Sequence, residues 1–245
     1  MKRTPDRPPP PPADPQEVLA ELERLGTPGT RDGYARYGIV APRAFGVTMA
    51  DIQRLAGRVG RSHALAAALW RSGWYEARLL AAFVEEPERV TPAQMERWCR
   101  DFDNWGICDT VCFKLFDQVP HAWEKVAAWS DRDEEFVKRA AFALLASLAL
   151  HAKGGGDERF LASLAWIERA AADERNFVRK GVSWALRSIG RRNRALHVSA
   201  LAAARRLADS AQPAARWVGR DALGDLTRPA VKQRIAAPPR RKRAR

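Results

Sequence analysis

The segment Asp101-Phe102-Asp103-Asn104-Trp105-Gly106-Ile107-Cys108-Asp109-Thr110 sets an indole and a carboxylate four residues apart. On a helix that spacing puts Trp105 and Asp109 on one face. The pair suits a cationic species. The ring face attracts a cation by about 0.5–2 kcal/mol, depending on desolvation. The carboxylate adds roughly 4 kcal/mol at ~4 Å and an effective dielectric of about 20. A core tryptophan and a capping aspartate account for the same residues without chemistry. Arg139 opens the apolar run Ala140-Ala141-Phe142-Ala143-Leu144-Leu145, and Trp184 stands four residues after Lys180. An arginine there holds a phosphate through a bidentate fork, or pairs with Asp133 or Glu134. Trp184 is a site wall or a core residue. Nine tryptophans are more than one site needs, so most of them are structural.

The elements that must carry these residues read as helices throughout. Asp14 before Pro15, with Glu17 three residues on, is a helix start, and Gly26 can end that helix. Thr48 with Asp51, and Thr91 with Gln94, repeat the signal. Alanine and leucine dominate from 64 to 208, and no run of alternating β-branched residues or Asn-Gly hairpin interrupts them. Loops are expected at Gly26–Gly33, Glu85–Val90, Gly154–Gly156 and Asp209–Pro213. Phe136-Val137-Lys138-Arg139 returns 41 residues later as Phe177-Val178-Arg179-Lys180, and Trp217-Val218-Gly219-Arg220 begins 40 residues beyond that. Each copy is expected to start a helix. A period near 40 with two helices per unit marks a HEAT-like (armadillo-type) solenoid, because one helical hairpin cannot bury its own apolar face and neighbours must share a core. The expected fold is all-α: a C-shaped helical repeat solenoid whose concave face is basic, lined by the pairs Lys138-Arg139 and Arg179-Lys180. Residues 1–13 form a proline-rich leader, 14–235 the repeat domain, and 236–245 a basic tail.

Charge narrows the function classes. The net charge is +13, and the terminal RRKRAR carries five of it, so the remainder still holds +8. That balance suits a polyanionic partner. No stretch approaches a membrane span, and the basic N-terminus has no apolar segment after it to make a secretory signal, so the cytoplasm is the expected location. Cys99, Cys108 and Cys112 are an odd number in a long chain, which argues against a disulfide framework. Cys108 and Cys112 share a helix face, but a zinc site needs two more ligands and the four histidines are scattered. Buried reduced thiols, no metal and no cofactor are expected.

These segments resemble the AlkD-type DNA alkylation repair family of HEAT-like DNA glycosylases over about residues 30 to 230. Asn104-Trp105-x-x-x-Asp109 resembles the family's Trp-x-x-x-Asp motif. Phe136-Val137-Lys138-Arg139-Ala140 resembles the segment with its conserved arginine, and Phe177 through Arg187 the helix with its second active-site tryptophan. Tyr37, nine residues before Gly46, and the stretch from Leu69-Trp70 to Arg78-Leu79-Leu80-Ala81 resemble its N-terminal helices. The resemblance implies a monomer acting in base excision repair on double-stranded DNA containing N3- or N7-alkylated purines, with the damaged base not flipped into a pocket. Asp109 would be the catalytic carboxylate. Trp105 and Trp184 would pack on the lesion's backbone and sugar. Arg139 would contact phosphate, Tyr37 would lie near the lesion, and Lys138, Arg179 and Lys180 would bind DNA.

So spare a site is chemically sufficient. An alkylated purine is already cationic and leaves without a general acid, whereas ordinary glycosidases need two carboxylates. One carboxylate can stabilise the oxocarbenium ion and orient water. A noncatalytic HEAT-like DNA-structure-binding protein and a protein-interaction scaffold are the alternatives. The first hypothesis predicts that Asp109→Asn leaves folding and DNA binding nearly intact while excision falls sharply.

Overall fold

The computed structural model describes residues 13–152 and 156–236. The proline-rich leader, apart from Ala13, the tail beyond Ala236, and most of the expected Gly154–Gly156 loop lie outside them. The described residues form fourteen α-helices and no strand, and divide into two compact units with the boundary after Arg89.

The first unit contains α1 (Pro15–Leu25), α2 (Pro28–Gly33), α3 (Met49–Val59), α4 (His63–Arg71) and α5 (Tyr75–Val84). The expected caps form: the Asp14 side chain accepts from the Gln16 N–H, and Thr48 Oγ1 from the Asp51 N–H. The expected loop at Gly26–Gly33 is mostly the short helix α2. Thr27 caps it and Pro28 begins it, which are helix-start residues in their own right. The Glu85–Val90 loop likewise contains a 3-10 turn at Pro87–Arg89. The centre of this unit is a buried carboxylate. Glu76 on α5 accepts from the Tyr34 hydroxyl (2.9 Å) and from the Phe45, Gly46 and Val47 N–H groups (2.9, 2.7 and 3.2 Å). A loop with no ladder of its own is thereby satisfied by one side chain. Tyr37, at the end of a 3-10 turn, is 70% exposed.

The second unit is the repeat array: α6 (Pro92–Arg100), α7 (Trp105–Lys114), α8 (Ala122–Trp129), α9 (Glu135–His151), α10 (Glu158–Ala170), α11 (Asn176–Gly190), α12 (Arg194–Ala208), α13 (Pro213–Leu226) and α14 (Pro229–Ala236). Helices α7, α9, α11 and α13 pack side by side in one row, with α8, α10 and α12 packed against that row. Helix α9 sits inside the array, and its Ala140–Ala149 stretch is buried throughout. All-round apolar character is what a helix with neighbours on every side requires. The three cysteines are buried free thiols, and Cys112 Sγ contacts the Ala140 carbonyl at 3.6 Å.

The third copy of the repeat motif does not start its helix. Gln212 is the N-cap and Pro213 the first residue of α13, so Trp217 lies a full turn inside. A proline pre-set for the first helical position moved the start upstream. Gly219 replaces the basic residue of the earlier copies for a steric reason: a Cβ there would stand 2.2 Å from the Ala208 backbone nitrogen and 2.6 Å from the Ala204 oxygen. The glycine lets α13 press against the end of α12. Gly219→Ala is expected to cost about 1–3 kcal/mol, read from urea unfolding; unchanged stability would show that the two helices part freely.

One charged cluster ties α6 to α8 and the turn after it. Glu96 accepts from the Trp129 indole (2.9 Å), Lys125 (3.1 Å) and Arg132 (3.2 Å). Burial opposes its ionisation, but these bonds outweigh it and hold its pKa down at about 2. A carboxylate depressed on folding adds stability above its ordinary value of 4.5 and loses it as pH falls towards 2. Over that window the melting temperature of Glu96→Gln should fall less steeply with pH than the parent's. Parallel slopes would show that the cluster contributes nothing to acid sensitivity.

Candidate nucleic-acid site in the helical repeats

The row α7, α9, α11 and α13 presents matching helical positions side by side. The fifth residues of these helices are Asp109, Arg139, Lys180 and Trp217; the ninth residues include Phe113, Trp184 and Asp221. Asn104 fixes the start of α7, its side chain accepting from the Ile107 N–H at 3.1 Å. Asp109, Arg139, Lys180, Trp184, Trp217 and Asp221 line one open pocket of about 500 Å³, with Arg187, Ser188 and Arg191 completing it.

At one end Asp109 and Arg139 form a bidentate pair. Arg139 Nε donates to Asp109 Oδ1 at 2.9 Å, Nη2 to Oδ2 at 2.7 Å, and Nη1 to the Phe177 carbonyl at 2.7 Å. Their side chains are 18% and 7% exposed. Burial pushes the Asp109 carboxyl above the ordinary carboxylate range, and the Arg139 guanidinium works against that shift. Arg139 therefore pairs with Asp109, not with Asp133 or Glu134. Those acidic residues precede α9, whereas Asp109 is level with Arg139 on the neighbouring helix. The expected effect of Asp109→Asn changes accordingly, because removing one charge leaves the buried guanidinium unmatched.

Trp184 stacks on Phe113 at 4.7 Å, with the rings 4° from parallel. Phe113 thus holds one side of the indole while Trp184 still lines the pocket. Trp105 begins α7, half-buried, and is not among the residues lining this pocket; Tyr37 belongs to the first unit.

The basic residues do not line up as the repeat predicts. Lys138 turns to Asp173 (3.3 Å), and the Arg179 guanidinium lies 4.9 Å from the centroid of Trp217. Lys180 faces the pocket and has no ion-pair partner among the described residues. Five further lining residues were not among the site candidates read from the sequence: Arg187, Ser188, Arg191, Trp217 and Asp221. A signal existed for the arginines, since Lys180, Trp184, Arg187 and Arg191 fall at i, i+4, i+7 and i+11 on one helical face. Arg187 lies 3.4 Å from Asp221, and Arg191 pairs with Asp225. Among the described residues no group of three or more His, Cys, Asp or Glu is placed to hold a metal, and no helix is long and apolar enough to cross a membrane.

Stacked helical hairpins that present one row of matched positions, with aromatic and charged residues around the largely buried Asp109, define a HEAT-like helical-repeat protein. The chain belongs to the DNA alkylation repair enzyme family, whose model matches residues 18–226. A solved structure from a new family of proteins related to the HEAT-like repeat DNA glycosylases, with affinity for branched DNA structures, is similar at a TM-score of 0.72 and 18% identity, over 87% of this chain and 96% of that one. Two designed armadillo repeat proteins, one in complex with the peptide (KR)4, match at TM-scores of 0.37 and 0.39 and 15% identity. They cover 90% and 86% of this chain and 79% and 92% of theirs. A comparison with curated proteins found no match.

Proposed function

We propose that the protein is a monofunctional DNA glycosylase that hydrolyses the N-glycosidic bond of cationic N3- or N7-alkylated purines in duplex DNA. The observation that carries this is the placement of Asp109: one carboxylate, largely buried, opening on a pocket that also holds Trp184, Trp217 and Lys180. A cationic base needs no proton to leave. As the bond breaks, positive charge builds on the deoxyribose, and a fixed carboxylate in a poorly solvated site stabilises it without reorganising. Asp109 also orients the attacking water. Trp184, braced by Phe113, packs on the sugar and backbone, with Trp105 as a second indole. Lys180, Lys138, Arg179 and Tyr37 contribute to DNA binding. Arg139 serves Asp109 first, holding both carboxylate oxygens in place, and meets phosphate only if the pair opens. Membership of the alkylation repair family supports this reading. The protein acts as a cytoplasmic monomer on chromosomal DNA, with no cofactor.

A second reading, DNA-structure binding without excision, draws on a specific observation: both Asp109 oxygens are engaged by a guanidinium, which offsets the negative charge the reaction would use. The solved relative described for its affinity for branched DNA structures is in keeping with it. Release of free base from duplex DNA containing 7-methylguanine, and then 3-methyladenine, separates the two. Release that depends on Asp109 supports the glycosylase. Binding without release of either base establishes the second reading in its place.

A further inference from the structure

The arginines around Asp109 and Asp221 are matched by carboxylates; those around Trp217 are not. Trp217 and Asp221 line a second pocket, of about 480 Å³, together with Pro213, Arg216 and Arg220. Both pockets therefore meet at Trp217. Arg216 donates to the Ser210 and Ala211 carbonyls (2.8 and 2.9 Å), and Arg179 to Asn176, so neither is neutralised by those bonds. Lys180 and Arg220 are exposed and have no ion-pair partner among the described residues. One of these four cations thus lies against the indole and the other three line the pockets it shares. The second pocket also opens by the first turns of α13, a fourteen-residue helix whose N-terminal N–H groups add positive potential.

A half-buried indole backed by a guanidinium, with pockets of small-ligand size beside it, calls for a flat, electron-rich ligand that carries negative charge. A nucleotide has both properties. In continuous duplex DNA the base faces are stacked and out of reach, so the ring can be used only by a base that is unpaired. We propose that Trp217 is a stacking platform for an unpaired nucleotide next to the Asp109 site, with Lys180 holding a phosphate on one side and Arg216 and Arg220 on the other. Of the matched pair Arg187–Asp221, Arg187 lines the first pocket and Asp221 lines both. This rests on the reading that the protein binds DNA and is independent of whether it excises a base.

The test uses the full chain and two probes of equal length: a perfectly paired duplex, and the same duplex with a single bulged 2-aminopurine. The parent should bind the bulged duplex more tightly and quench the 2-aminopurine, as stacking on an indole does. Trp217→Ala should lose about tenfold or more in affinity for the bulged duplex, lose the quenching, and lose distinctly less affinity for the paired one. Trp217→Phe should retain most of both effects. Persistent quenching in Trp217→Ala, or an equal loss on both duplexes, overturns the platform. So does a parent that binds both probes without quenching, a result that needs no variant to fold. A parent that binds neither duplex overturns the DNA reading itself, and the platform with it.

Discussion

Asp109→Asn is expected to slow release of 7-methylguanine from duplex DNA by about 10²–10³-fold, the range found when one preorganised electrostatic group is removed from a transition state. The substitution keeps the shape of the side chain and deletes its charge. Because burial raises the Asp109 carboxyl above the ordinary range, excision by the parent should also fall on acidification at a higher pH than an exposed carboxylate would give. Only the ionised form stabilises the oxocarbenium ion, so activity is lost as pH drops through the raised value. Base release measured across pH, at temperatures well below the melting transition of the variant, checks both statements. A variant that excises as fast as the parent would remove Asp109 from the mechanism.

Arg139→Met should destabilise the protein by about 3–5 kcal/mol, the cost of stranding one member of a buried ion pair. The guanidinium bridges three successive helices of the row, from Asp109 on α7 through its own α9 to the Phe177 carbonyl on α11. Its loss leaves a largely buried carboxylate unmatched. At roughly 2–4 °C per kcal/mol for a chain of this size, the melting temperature falls by about 6–20 °C. The double variant Asp109→Asn with Arg139→Met should recover part of that loss, since neither charge is left stranded. It should still fail to excise, and this separates the structural role of the pair from the catalytic role proposed for Asp109. A single variant as stable as the parent would mean that the pair is open in solution and Arg139 is free for phosphate.

The fold class was legible because its causes are local. Alanine and leucine at helical spacing, with Asp14, Thr48 and Thr91 as caps, specify helices wherever they occur. The forty-residue period forces those helices to stack, since no single hairpin buries its own apolar face. The Trp105–Asp109 spacing placed both residues on one helix, and the motif copies marked α9 and α11 as equivalent. What the sequence could not decide is which neighbour each polar side chain chooses. Lys138 and Arg139 are adjacent in the chain, yet one turns to Asp173 and the other to Asp109, because successive helical residues point about 100° apart and meet different helices. Arg179 and Lys180 divide in the same way, one onto Trp217 and one into the pocket. Proline at 213 moved the third motif copy one turn along its helix and brought Trp217 level with Asp109, Arg139 and Lys180. Helix formation depends on neighbours within four residues and can be read along the chain. The pairing of Asp109 with Arg139, and the approach of Arg179 and Lys180 to Trp217, join residues thirty to forty apart and exist only once the helices are packed.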